Sequence, residues 1–231
     1  KTCRFACVLP LVLCLALATE CRAQVQWTQG GPWPLNGTAA AVYDSARDRI
    51  VAYDAQLTYE FDGTSWSAVQ TPQVPTAIPW QSLVYDRGRQ RVLMLNVFRE
   101  AWEYDGTTWM LMATNSPNPL GLVYHDVRGK VVAFGDDDPA TGASSTDLRE
   151  WDGVSWRLIP ATNQPPSGSK TWWIYCSTMS YDAARDRLCV FGARHVGPGL
   201  PPPGMYEVAD TWEWDVVNGW QWIAAGGPAN L

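Results

Sequence analysis

The side chains able to do chemistry are few and fall in short groups. Asp136-Asp137-Asp138 offers three consecutive carboxylates that could hold Ca²⁺. A loop wraps that ion through alternating positions, which a contiguous run lacks, so the competing expectation is a solvated acidic loop. Trp172-Trp173 could stack on a sugar ring or fill a packed interior. Arg194-His195 and Tyr206 flank a proline-rich stretch holding Pro198 and Pro201-Pro202-Pro203. Such a segment suits a lid, a partner contact or a disordered excursion. Arg47, Arg89, Arg128 and Arg185 recur in one local pattern and could form a ring of charge. The more economical reading gives each arginine to its own turn, paired with a nearby Asp or with backbone carbonyls. His125 and His195 are the two histidines of the chain.

The pattern holding these arginines is a repeat. YDSARDRIV from Tyr43 returns as YDRGRQRVL from Tyr85, YHDVRGKVV from Tyr124 and YDAARDRLC from Tyr181. A second block follows each time: YEFDGTSW from Tyr59, WEYDGTTW from Trp102, REWDGVSW from Arg149 and WEWDVVNGW from Trp212. It repeats a Glu (Glu60, Glu103, Glu150, Glu213) and a closing Trp (Trp66, Trp109, Trp156, Trp220). The tyrosines are spaced 42, 39 and 57 residues apart, around the length of one four-stranded propeller blade.

Each copy reads as four strands. The first ends at the Tyr and is poor in bulk, as suits a strand crowded around a central channel. The second (IVAY, VLML, VVAF, LCVF) is apolar throughout, as a strand buried on both faces is. It is expected to stop at Asp54, Asn96, Gly135 and Gly192, residue types that tolerate positive φ. The third carries the Glu, a tight Asp-Gly hairpin follows, and the fourth begins at the Trp. The Trp is expected to fill the space between adjacent sheets. Antiparallel strands put the 1–2 and 3–4 turns at one end of every sheet and the 2–3 and 4–1 connections at the other. The first set is short and uniform. The second holds the long insertions Asp136–Asp147, Pro160–Lys170 and Ala193–Asp210, read as loops. Variable loops on a rigid scaffold are where binding resides. The candidate ligand-binding residues are therefore Asp136, Asp137, Asp138, Trp172, Trp173, Arg194, His195 and Tyr206.

These motifs resemble the kelch family and the related propeller of galactose oxidase, in which an apolar strand ends in Gly-Gly and an aromatic and a Trp follow. The resemblance covers residues 38–226. The Gly-Gly pair is degraded here to Asp54-Ala55, Asn96-Val97, Gly135-Asp136 and Gly192-Ala193. Copper chemistry of the galactose oxidase kind needs paired His and a Tyr–Cys site. His125 falls at a 1–2 turn and His195 in a 2–3 connection, at opposite ends of their sheets. The Asp-Gly-x-x-Trp spacing is one residue shorter than a sialidase Asp box. The chain shows no nucleophile elbow, phosphate loop or zinc spacing. No cofactor and no metal are expected.

Bulk composition agrees with an all-β fold: 14 Trp, 17 Pro, 19 Gly and 17% charged residues in 231. Residues 1–23 read as a secretory leader, with Lys1 and Arg4, the apolar run Ala6–Ala18, and Cys21-Arg22-Ala23 before Gln24. An uncleaved anchor is the alternative. Removing Lys1, Arg4, Arg22 and Glu20 shifts the net charge from −6 to −8. An acidic chain without a basic stripe is a poor partner for nucleic acid or anionic membranes. Cys176 and Cys189 remain, out of register by about four residues, roughly 13 Å along a strand, and too far for a bridge.

The expected organisation is a leader at 1–23 and a kelch-type propeller at 24–231. Its blades lie at about 38–74, 80–118, 119–162 and 174–226, with a lone fourth strand at 24–30. Residues 25–32 (VQWTQGGP) match 221–228 (QWIAAGGP). The chain is therefore read as part of a larger ring, with a complete ring of four as the alternative. The functional expectation is a secreted or cell-envelope recognition module that binds an extracellular protein or carbohydrate without catalysis, through blades 3 and 4. A glycan-active enzyme with an incomplete site and a structural envelope scaffold are the alternatives.

Overall fold

A computed structural model describes residues 40–76, 81–138, 143–165, 178–196 and 205–224, with backbone only at 137–138, 143–144, 178, 193–196 and 205–209. They form four four-stranded antiparallel sheets, each a meander of neighbours in sequence order. Sheet 1 is β1 (Ala40–Asp44), β2 (Arg49–Tyr53), β3 (Thr58–Phe61) and β4 (Trp66–Val69). Sheet 2 is β5 (Ser82–Asp86), β6 (Arg91–Leu95), β7 (Ala101–Tyr104) and β8 (Trp109–Ala113). Sheet 3 is β9 (Gly121–His125), β10 (Lys130–Asp138), β11 (Ala143–Trp151) and β12 (Trp156–Ile159). Sheet 4 is β13 (Thr178–Asp182), β14 (Arg187–Val196), β15 (Met205–Asp215) and β16 (Gly219–Ala224). No helix occurs among the described residues. The first strands meet in series, β1 with β5, β5 with β9, and β9 with β13.

The core lies between sheets. Val51 and Tyr53 of sheet 1 meet Val92, Met94, Tyr104 and Trp109 of sheet 2. Leu93 and Leu95 meet Val131 and Trp151 at the next seam. Val132, Phe134 and Leu148 meet Leu188, Trp214 and Trp220 at the third. The second strands contribute to both seams through alternate residues, which is why they read as unbroken apolar runs. Trp109 and Trp220 are fully buried, while Trp66 and Trp156 are half-buried. The expected role as inter-sheet filler therefore holds fully for two of the four.

Two expectations are corrected. The insertions after Gly135 and Gly192 are not loops: the second and third strands run on as paired hairpins, to Asp138 and Ala143 in sheet 3 and to Val196 and Met205 in sheet 4. Gly135 (φ +77°) and Gly192 (φ +80°) sit at register shifts rather than strand ends. Each glycine stands opposite a bulge of the third strand, where two residues (146–147 and 209–210) face one while the ladder continues. The Asp-Gly hairpins also span four residues, since Phe61 pairs with Trp66. The Asp side chain closes each one: Asp62 Oδ1 accepts the amides of Thr64 and Ser65 at 2.8 Å, and Asp105 and Asp152 do the same. These are Asx turns.

Candidate functional site

The two ends of the sheets are built differently. At the turn end, each repeated arginine reaches the repeated glutamate of its own third strand: Arg47 to Glu60, Arg89 to Glu103, Arg128 to Glu150 and Arg185 to Glu213. Arg47, Arg89 and Arg185 also approach the Asp that opens their turn, at 2.7, 3.8 and 2.6 Å. The expected Asp pairing is thus present in three copies, and the glutamate is the larger partner that sequence reasoning missed. The next sheet then donates to that glutamate: Tyr104 Oη to Glu60 at 3.0 Å and Trp151 Nε1 to Glu103 at 2.8 Å. Burial and the Glu60 charge push the Tyr104 phenol well above its usual value. The repeated tyrosines lock the same seams. Tyr124 lies under the Arg87 guanidinium at 5.0 Å, and Tyr181 stacks on His125 at 4.4 Å. Tyr85 is buried, and burial together with the Asp44 carboxylate raises its phenol to about 12. Tyr43, with no earlier described sheet beside it, is exposed and donates to Asp48 in its own turn. The charged groups are paired with one another within and between blades, and the arrangement recurs with the repeat, so it reads as structural.

The opposite end carries one charged cluster that spans two sheets. Asp136, just past Gly135 in β10, accepts two guanidinium nitrogens of Arg99 at 3.0 and 2.8 Å. It also accepts Arg149 of β11 at 2.8 Å and the amide of Asn118 at 3.0 Å. Burial opposes ionisation of Asp136, but the Arg99 hydrogen bonds, the Asn118 amide and the two guanidinium charges outweigh it, holding the carboxyl below its usual range. Two-point Arg–carboxylate pairing fixes orientation as well as charge. Arg149 lies 3.6 Å from Asp147 as well. The cluster ties the 2–3 connection of sheet 2 and the 4–1 connection before β9 onto sheet 3.

Local sequence explains how Arg99 gets there. Asn96 Oδ1 accepts the amides of Phe98 and Glu100 at 3.1 Å, and Arg99 N donates to Asn96 O at 3.0 Å. That tight turn forces Arg99 to φ +64°, an uncommon conformation for a residue with a side chain. Asn96 Nδ2 and Trp102 Nε1 both hold Glu100 Oε2, at 2.8 and 2.9 Å. The same turn leaves Phe98 half exposed (50%) beside Arg99. The end thus pairs a solvent-facing aromatic with a fixed array of N–H donors and carboxylate oxygens. An aromatic face beside oriented polar groups suits binding of a partly apolar, hydroxyl-rich or peptide ligand.

The other candidate residues are placed as follows. Asp136 lies in strand β10 rather than in an acidic loop, and its carboxylate is paired with two arginines. Asp137 and Asp138 stand opposite Ser144 and Ala143 in the hairpin ladder. Arg194 pairs in register with Glu207, and His195 with Tyr206. The proline-rich stretch is therefore bracketed by a regular hairpin. Trp172 and Trp173 lie outside the described residues. His125 ends β9 and His195 lies in the distal hairpin of β14, at opposite ends of their sheets as expected. Cys189 is free and stands opposite Ser180, four residues from Cys176, which lies outside the described residues. Among the described residues no group of three His, Cys, Asp or Glu could hold a metal. Phe98, Arg99, Asn118 and Arg149 were missed in the sequence. One signal was there: Arg149 stands where the other copies put Tyr59, Trp102 and Trp212 before the glutamate.

No family model and no curated protein matches the chain. Solved structures do. The structure of YjhT superposes with a TM-score of 0.53 at 9% identity, covering 85% of this chain and 73% of that one. Together with four four-stranded antiparallel sheets meeting through their first strands, that decides the architecture. The fold is a β-propeller. Sheets 1–4 are its blades, and at such identity the likeness is one of fold alone. Two looser matches are an Aleuria aurantia lectin mutant in complex with alpha-methyl-L-fucoside and YCF48 bound to D1 peptide. The lectin has a TM-score of 0.42 at 13% identity, covering 83% of this chain and 79% of that one. YCF48 has 0.36 at 12%, covering 75% and 63%.

Proposed function

We propose that the chain is a secreted or cell-envelope propeller of the kelch type that acts as a recognition module. It binds a carbohydrate or an extracellular protein, without catalysis, at the 2–3/4–1 end of blades 2 to 4. The observation that carries this reading is the Phe98–Arg99–Asp136–Arg149 group. A left-handed arginine is held there by bonds that cross a blade seam, with an exposed aromatic next to it in the same turn. Strain of that kind clusters at binding sites. The two hairpins that outgrow their blades stand at the same end and would wall the site. The leader-like residues 1–23 and the acidic charge favour an extracellular partner over nucleic acid.

The test is a binding screen of the whole chain against immobilised glycans and extracellular matrix proteins. Phe98→Ala, Arg99→Ala, Trp172→Ala and Trp173→Ala are run alongside, with Val127→Ser as an exposed turn-end control. Binding lost in Phe98→Ala and Arg99→Ala but kept in Val127→Ser supports the reading. No bound ligand, or equal loss in all variants, contradicts it. Retention in both Trp variants would remove the Trp172-Trp173 platform alone.

A further inference from the structure

Blade 3 departs from the others at one buried position. The turn after the first strand opens with Asp44, Asp86 and Asp182 in blades 1, 2 and 4, but with His125 in blade 3. Each Asp accepts turn amides. Asp44 Oδ1 takes Ala46 and Arg47 at 3.1 and 3.2 Å, Asp86 takes Arg89 at 3.1 Å, and Asp182 takes Ala184 and Arg185 at 3.0 and 3.1 Å. His125 substitutes with Nδ1, which faces the Arg128 amide at 3.5 Å. That geometry requires a lone pair on Nδ1 and the proton on Nε2, a neutral ring. Nε2 lies 3.7 Å from Asp186 Oδ1 in the blade 4 turn. The ring is 2% exposed, stacked on Tyr181 and edge-on to Trp214 at 6.4 Å, both in blade 4. One imidazole therefore closes the turn of blade 3 and forms the turn-end contact with blade 4.

We propose that His125 makes the seam between blades 3 and 4 acid-labile. A second proton would sit on Nδ1 and point at the Arg128 amide, so that two donors face each other. The turn that aims Arg128 at Glu150 Oε2 (2.7 and 3.0 Å) would lose its acceptor. A carboxylate in the same place ordinarily keeps accepting to lower pH than an imidazole; Asp44 and Asp182 are held below their usual range, while burial raises Asp86.

The charges facing the ring from each element are mixed. Arg128 and Asp126 lie on its own turn, Glu150 on β11 and Asp186 on the blade 4 turn. Asp186 Oδ1 also takes the Tyr181 hydroxyl at 2.7 Å. Burial is the largest influence and depresses the imidazole below its ordinary 6.5. The Arg128 charge acts with it, and Asp186, Asp126 and Glu150 oppose it. A depressed folded pKa means the unfolded chain takes the proton first. The stability that His125 contributes is therefore full above pH 6.5 and is lost as the pH falls through the folded value. Between those two values the folded-to-unfolded ratio drops about tenfold per pH unit from this one group.

The experiment compares melting between pH 7.5 and 5.0 for the whole chain and for His125→Asn, whose amide oxygen accepts without titrating, and His125→Asp, which restores the acceptor of blades 1, 2 and 4. The wild type should lose more thermal stability than either variant. The folded imidazole of His125, assigned by NMR against His195→Asn, should titrate below 6.5. Equal pH dependence in wild type and variants, or titration of His125 at or above 6.5, would overturn the proposal. If the variants fail to fold, the NMR midpoint in the wild type decides it.

Discussion

The two ends of each blade follow different rules. At the turn end the Tyr, the arginine, the glutamate and the Asp of the 3–4 Asx turn each recur four times, and the Asp that opens the 1–2 turn recurs three times, with His125 in its place in blade 3. Each is answered inside its own blade or by the next one. At the other end the blades differ. Blade 1 closes with a short turn capped by Asp54, blade 2 forces Arg99 to positive φ, and blades 3 and 4 extend long hairpins. The turn end repeats because each seam must solve the same packing problem. The loop end is free of that problem once the seam is made, so its residues can serve a ligand. The same division explains why Gly106 lies under Arg47 of the preceding blade, where an added Cβ would stand 2.9 Å from the guanidinium. Gly63, with no described blade before it, would meet nothing within 4 Å.

Substitutions at the turn end and in the seams should act on stability. The largest effect is expected for Trp109→Ala, at about 3–5 kcal/mol, because the indole is fully buried between blades 1 and 2. An unchanged melting temperature would break the seam account. Glu103→Gln comes next, at about 1.5–3 kcal/mol in denaturant melts, since the change weakens the charge-assisted bonds from Arg89 and gives the Trp151 Nε1–H donor only a neutral amide oxygen to bond. Thr58→Ala should cost about 1–2 kcal/mol, because Trp109 Nε1 donates to its hydroxyl at 2.8 Å and would be left buried without a partner. The equivalent residue in blade 2 is Ala101, and there Trp156 Nε1 has no acceptor. Ala101→Thr should therefore raise the melting temperature where Thr58→Ala lowers it. The smallest effect belongs to Phe98→Ala at the loop end, within about 0.5 kcal/mol, with loss confined to binding. A large stability loss there would erase the contrast between the two ends.

Legibility in the sequence followed the same division. Four Tyr-to-Arg turns and four Glu-to-Trp hairpins set the strand number, order and seam residues, because repetition separates signal from chance. The Arg–Glu pairs escaped notice although both members were visible. Their separation changes from 13 to 14 to 22 residues in the first three blades as the second and third strands lengthen. Antiparallel pairing returns the partners to the same end whatever lies between, so separation along the chain concealed a constant contact. The loop-end cluster was harder. Arg99 and Asp136 lie 37 residues apart in different blades, and only the seam brings them together. Reading Asp136-Asp137-Asp138 as an acidic loop failed because β10 runs on through Gly135, opposite a bulge in β11, instead of ending there.

The central claim is that one end of the propeller builds the fold and the other meets a partner. Amide hydrogen exchange, measured on the whole chain alone and saturated with the tightest binder of the glycan and matrix-protein panel, tests this most directly. Slowed exchange at 96–100 and 116–120, with the turns at 44–49, 86–91 and 182–187 unchanged, is the predicted result. Protection centred on those turns, with residues 96–100 unaffected, would contradict the account.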